Sequence, residues 1–244
     1  MHKTATIEAA ACPRCQSRPR PPRLTLSYML HRIREDVFGS ERGLLPTVWH
    51  LLVAPQRVAL GFVRGDDLRY YGPVGFFILS LAASLLLAST QPIFDGMVAQ
   101  LVANKGLMDK AAAVAFISDW NSLVYAPLVF LLALATRYFF RDGGYNYAEH
   151  LVIAAYGWSQ FLLLGVLAMA LAAAFKAAGI RGAVLLPLLF GPVVYWFWYC
   201  HRVFAQAGPV GLLRAFISLC TAMVLFLILL ILVVQLATLQ GADP

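Results

Sequence analysis

Beyond residue 71 the chain alternates long apolar runs with short polar interruptions, a spacing far coarser than the two-residue repeat of a strand or the 3.6-residue repeat of a surface helix. Five runs, about 72–90, 122–140, 151–175, 183–200 and 212–239, are near the roughly 20 residues that a helix needs to cross the ~30 Å hydrocarbon of a bilayer. The first contains no charged residue and follows Tyr70 and Tyr71, whose amphipathic rings suit the headgroup level. Pro127, Pro187 and Pro192 fall within predicted spans and imply kinks. Residues 91–121 mix apolar positions with Asp95, Lys105, Asp109, Lys110 and Asp119, and read as an exposed loop with an amphipathic helix. The fold class expected is all-α: a polytopic membrane protein of about five transmembrane helices, occupying residues 72–244.

The preceding residues have a different pattern. Over 24–38, Leu26, Met29, Leu30, Ile33 and Val37 recur at helical spacing with Arg32, Arg34, Glu35 and Asp36 between them, the pattern of a helix lying on a membrane surface. Two more apolar stretches, 44–53 and 58–63, are too short to span and are separated by Pro55, which favours a re-entrant or interfacial arrangement. Residues 24–71 therefore read as cytosolic or interfacial amphipathic helices, and residues 1–23 as a flexible basic tail.

Composition agrees with a bilayer as solvent. Of the 244 residues 61% are hydrophobic and 13% charged, against about 25% charged in an ordinary soluble domain. The formal net charge of +7 is unevenly placed: residues 1–71 carry 11 of the 19 Lys and Arg. On the five-span reading Arg137, Arg141, Arg202 and Arg214 join them on one side, with Lys105, Lys110, Lys176 and Arg181 on the other. The positive-inside rule then puts the N-terminus in the cytosol and the C-terminus in the periplasm or outside the cell. Cations so placed meet anionic lipid headgroups, and no nucleic-acid module competes for them. The lipid bilayer is the partner expected, with a homo-oligomer compatible and nucleic acid excluded.

Costly ionisable groups, by which pumps and ion-coupled carriers work, are missing from the predicted span interiors, which offer Ser80, Ser84, Ser159, Gln160 and Cys220. Such small or neutral polar residues serve helix packing in lipid. Cys12-Pro13-Arg14-Cys15 has the spacing of half a zinc ribbon; His2 and His31, or a second chain, would have to complete the four ligands of zinc, and otherwise the pair is an exposed thiol pair in a tail. No other cofactor is expected. At the predicted inner surface, Glu149 beside His150 could do acid–base work, yet Asn146 followed three positions later by Glu149 is also the capping-box spacing. His201, next to Cys200 at the end of the fourth predicted span, is a further candidate, read as interfacial. Nucleophile elbow, P-loop, dinucleotide fingerprint and HExxH motifs are all lacking.

The succession Cys12-Pro13-Arg14-Cys15-Gln16, Arg23-Leu24-Thr25-Leu26, Met29-Leu30-His31, Gly43-Leu44-Leu45, Thr47, Pro55 and Tyr71-Gly72-Pro73 resembles the bacterial membrane proteins grouped as domain of unknown function 3667. Asn146-Tyr147-Ala148-Glu149-His150-Leu151-Val152 strengthens the likeness. The resemblance implies a zinc-ribbon-like tail joined to a multi-span domain in the bacterial inner membrane, with no activity attached. Where such proteins carry a second cysteine pair and further histidines, this chain has one pair, and Glu35, Gly39, Tyr156 and Trp158 in the histidine positions. A weaker likeness, in topology and in Tyr71-Gly72-Pro73 and Tyr156-Gly157-Trp158-Ser159, is to Yip1-type five-span membrane proteins. Both imply a non-enzymatic role in membrane interaction, scaffolding or organisation. Transport of a neutral solute or lipid is the alternative that a polar path near the prolines would favour; a membrane-surface metal-dependent enzyme would need Glu149, His150 and His201 to converge.

Overall fold

The computed structural model describes residues 43–65, 70–88, 126–177, 185–206 and 208–240. The cysteine pair Cys12 and Cys15, the amphipathic segment 24–38 and the loop 91–121 lie outside them. The described residues are helical, with a single parallel bridge between Gly43 and Tyr70. In chain order the helices are α1 (Leu44–Val53), α2 (Pro55–Arg64), α3 (Pro73–Ala88), α4 (Ala126–Phe139), a 3-10 turn (Arg141–Gly143), α5 (Tyr147–Ala177), α6 (Leu185–Phe204) and α7 (Pro209–Gln240).

Proline and glycine punctuate these helices. Ala54, ahead of Pro55, leaves the helical region at φ −147°, ψ 62° and ends α1, because a residue before proline is disfavoured there. Pro55, Pro73 and Pro209 each open a helix, where a missing N–H costs nothing. Gly65, at φ +75°, closes α2 in the left-handed conformation glycine tolerates. Pro187 sits in the first turn of α6 and displaces no helical hydrogen bond, so it is Pro192 that lies inside the helix and removes one.

The centre of the bundle is α5. Every residue from Ala148 to Gln160 is buried, so this half of the helix is enclosed all round. It packs against α3 and α6, and the short helices α1 and α2 close over it. They form a collar, docked through Leu51, Val58, Ala59 and Phe62. Past Gln160 the enclosure loosens, and Leu167 and Leu171 are exposed.

α7 is patterned inside out. Its buried positions are Gly211, Ala215, Ser218, Ala222, Phe226 and Leu230, mostly small residues at three- and four-residue spacing. Its exposed positions include Leu213, Phe216, Ile217, Val224, Ile228 and Leu232. Among the described residues two helices are long and apolar enough to cross a membrane, Tyr147–Phe175 and Pro209–Val233, overlapping two of the five predicted spans. The other three predicted spans correspond to α3, of 16 residues, to α4 and to α6, of 20.

Candidate functional site

The collar is tied to the bundle at Tyr71. Thr47, fully buried, donates its hydroxyl proton to Gly43 O (2.9 Å) and accepts from the Tyr71 N–H (2.8 Å). On the other face of the same residue, Tyr71 O accepts from the Tyr156 hydroxyl of α5 (2.7 Å). Tyr156 stands against Phe62 of α2 and Phe76 of α3, with ring centroids 6.1 and 6.2 Å away. A third tie comes from α6, whose Tyr195 hydroxyl donates to Leu51 O (3.2 Å) at the end of α1. Each tyrosine buries an apolar ring and delivers its O–H to a backbone carbonyl near a helix end, satisfying groups that a buried chain cannot leave bare.

α6 lies antiparallel on α5 through aromatic side chains. Tyr199 donates to Ile153 O (2.7 Å), and Phe204 stacks on His150 one end further along. The contact is close because Gly157 has no side chain: a Cβ there would lie 2.6 Å from Tyr199 Cε1 and 2.9 Å from Trp196 Cζ3.

At the start of α5 the side chains singled out from the sequence adopt separate local roles. Asn146 Oδ1 accepts from the Glu149 N–H (2.9 Å) while Glu149 Oε2 accepts from the Asn146 N–H (2.7 Å), the reciprocal pair of a capping box. His150 is fully buried between Phe204 and the edge-on ring of Tyr145. Its Nδ1 lies 3.2 Å from Thr136 Oγ1, whose own proton is given to Ala133 O (3.1 Å). The hydroxyl therefore accepts, His150 carries its proton on Nδ1, and Nε2 is left as a bare lone pair without a partner. His201, by contrast, is exposed and donates from Nδ1 to Gln206 O (3.0 Å), closing the end of α6. Arg214 joins the 3-10 turn to the α6–α7 connection through Asp142 (2.6 Å) and Gln206 Oε1 (3.1 Å). Glu149 is a cap, His201 a surface hydrogen-bond donor, and His150 an imidazole enclosed by aromatic rings. Among the described residues no group of three or more His, Cys, Asp and Glu is placed to hold a metal.

The collar and the helix it leads into form a continuous stretch with a recognisable signature. Residues 41–85 match the family model described as Protein of unknown function (DUF3667). The resemblance read from the sequence is thus supported for α1, α2 and nearly all of α3, the segment that holds Thr47 and Tyr71. The DUF3667 match ends before the Asn146–Val152 motif and begins after the cysteine tail. No curated protein and no solved structure matches the chain.

The ties are made by Thr47, Tyr156, Tyr195 and Tyr199; of these, sequence reasoning named Thr47 and Tyr156 only within the family likenesses and passed over Tyr195 and Tyr199. Their signal was present: tyrosine and tryptophan inside an apolar run bring polar atoms that must find partners.

Proposed function

We propose that this chain is a multi-pass protein of the bacterial inner membrane, with about five spans and a cytosolic N-terminus, whose role is non-catalytic: a platform for membrane interaction or organisation. The observation that carries the membrane reading is α7. In water a helix buries its large apolar residues and exposes small or polar ones; α7 buries Gly211, Ala215, Ser218 and Ala222 and exposes Leu213, Phe216, Ile217 and Val224, which suits lipid as the outer solvent and close helix contact within. The non-catalytic reading is supported by the interior. The buried hydroxyls of Ser80, Thr136, Ser159 and Ser218 donate to carbonyls three or four residues back in their own helices, and Glu149 is spent on a cap. The family-matched collar then serves as the built feature of the inner surface, and exposed Arg137, Arg141 and Arg202 meet anionic headgroups there.

The test is topology mapping in a bacterial membrane, with single cysteines introduced at positions 65, 141, 206 and 244 of a cysteine-free variant and labelled by a membrane-impermeant maleimide. Protection of 65, 141 and 206 in intact spheroplasts, with labelling at 244, is the expected result. Labelling of 141 or 206 from outside would refute the five-span arrangement, and release of the protein by alkaline carbonate would refute membrane integration altogether.

A further inference from the structure

The two sides of α1 have opposite surroundings. Leu45, Trp49 and Val53 are 80%, 62% and 50% exposed. They stand four residues apart, so each is turned about 40° from the last and the three make one stripe along the helix. Thr47 and Leu51, both fully buried, lie about 160° around from Leu45 and Trp49 and dock on the bundle. Single exposed apolar side chains are ordinary on a protein surface, but a continuous stripe that includes a tryptophan, on a helix of ten residues, marks a contact face.

The level at which α1 is held decides what meets that face. Thr47 accepts from the Tyr71 N–H, and Tyr71 O accepts from Tyr156, nine residues past the first of α5. At 1.5 Å per residue the tie lies about 14 Å along α5 from its start. The 3-10 turn just ahead of α5 carries exposed Arg141 and Asp142, a charged rim suited to the headgroups. A headgroup layer is only about 5–8 Å deep on each side of a bilayer, so a tie about 14 Å inward of that rim is level with acyl chains. Charge fits the same surroundings. Arg57 and Arg64, both exposed, project from α2 within about 20° of one another, and residues 43–65 contain no Asp or Glu. Arginines of this kind keep their stems in apolar surroundings and reach back to phosphate.

We propose, on the membrane reading given above, that α1 is a lipid-contacting helix whose Leu45–Trp49–Val53 stripe lies among the acyl chains of the inner leaflet, with Arg57 and Arg64 of α2 reaching the phosphates. The collar is then held on one side by the tyrosines of α5 and α6 and on the other by lipid. A tryptophan at position 49 suits this placement, because its ring is apolar and its N–H can meet the polar layer.

The experiment is spin-label accessibility in nanodiscs of phosphatidylethanolamine and phosphatidylglycerol, using the full-length cysteine-free variant. Nitroxides are attached singly through Leu45→Cys, Trp49→Cys, Val53→Cys and Arg64→Cys, all exposed positions, with Val224→Cys and Ile228→Cys on the exposed face of α7 as the membrane control. Oxygen concentrates among acyl chains and a nickel chelate in water, so the ratio of their collision rates reads the surroundings of each label. The ratio at 45, 49 and 53 is expected to match that at 224 and 228 and to exceed that at 64 several-fold. A water-like ratio at 45, 49 and 53 with a lipid-like one at 224 and 228 overturns the lipid contact and leaves the membrane reading standing. Exclusion of both reagents from 45, 49 and 53 also overturns it, because protein then covers the stripe, either this chain's own segment 24–38 or a second copy. A water-like ratio at 224 and 228 refutes the membrane reading itself, and the lipid contact falls with it.

Discussion

Replacing Gly157 by alanine tests the contact between α5 and α6. The added methyl would stand 2.6 Å from Tyr199 Cε1, 2.9 Å from Trp196 Cζ3 and 3.0 Å from Tyr199 Cδ1. Non-bonded carbons prefer about 3.5–4.0 Å, so the rings would have to retreat by roughly 1 Å. Neither is free to do so. Tyr199 is held by its hydrogen bond to Ile153 O, and Trp196 is fully buried beside Tyr195, itself tied to Leu51. Overpacking of this kind costs about 1–3 kcal/mol, and displacing the Tyr199 hydroxyl adds about 1 kcal/mol. We therefore expect Gly157→Ala to lose about 2–4 kcal/mol, a large part of the 5–15 kcal/mol typical of a folded domain. Gly165, on the same helix, is the internal control, because a Cβ there meets nothing within 4 Å; Gly165→Ala should be neutral or gain up to about 1 kcal/mol from helix propensity. Denaturant or thermal unfolding of the two variants in one detergent gives the comparison, and Tyr199→Leu in the Gly157→Ala background should recover part of the loss by removing the obstacle. Equal stability of the two alanine variants would refute the packing described here.

The ties of the collar give further expectations, each read by the same unfolding assay. Thr47→Val keeps the shape but leaves the Tyr71 N–H without its acceptor, and should cost about 1–3 kcal/mol, whereas Thr47→Ser should stay near wild type. Tyr156→Phe removes the bond to Tyr71 O and should cost about 1 kcal/mol; combined with Thr47→Val the losses should be non-additive, because both substitutions release the same residue. Glu149→Ala should cost about 1 kcal/mol and Glu149→Gln much less, since either Glu or Gln completes a capping box; equal losses would argue for a role of the charge itself. Arg214→Ala should cost less than about 1 kcal/mol, because its partner Asp142 is more than half exposed and solvent screens the pair.

Much of the helical frame was legible because solvent physics acts on runs of residues. The segments that became α5 and α7 are visible as uninterrupted apolar runs, and the capping box at Asn146 and Glu149 is visible because its two partners are three positions apart. Pro55 likewise marked the break between α1 and α2. What periodicity could not show is which segments close on which. Nothing local in 44–64 says that these helices wrap α5, since the bonds that hold them come from Tyr156 and Tyr195, far along the chain. Gly157 looks like any glycine in an apolar helix until Tyr199 and Trp196 are placed beside it. Gln160 reads as a residue that aids packing; only the lack of a partner for its Oε1 at full burial sets it apart. The helix that most resembled a surface acid–base site, with Glu149 and His150 adjacent, places one side chain in a cap and the other among aromatic rings.

The collar also sets an order of events during synthesis. Its own residues emerge early, yet the tyrosine that holds Tyr71 lies 85 positions later and the one that holds Leu51 lies 144 positions later. At 5–20 residues per second the ribosome takes roughly 7–30 s to supply the second. Until α5 and then α6 are made, the family-matched segment has its apolar faces formed and lacks the helices that receive them. A truncation that ends before α5 would therefore leave the first helices of the nascent chain as adhesive surfaces, and it is helices made long after them that release them from waiting.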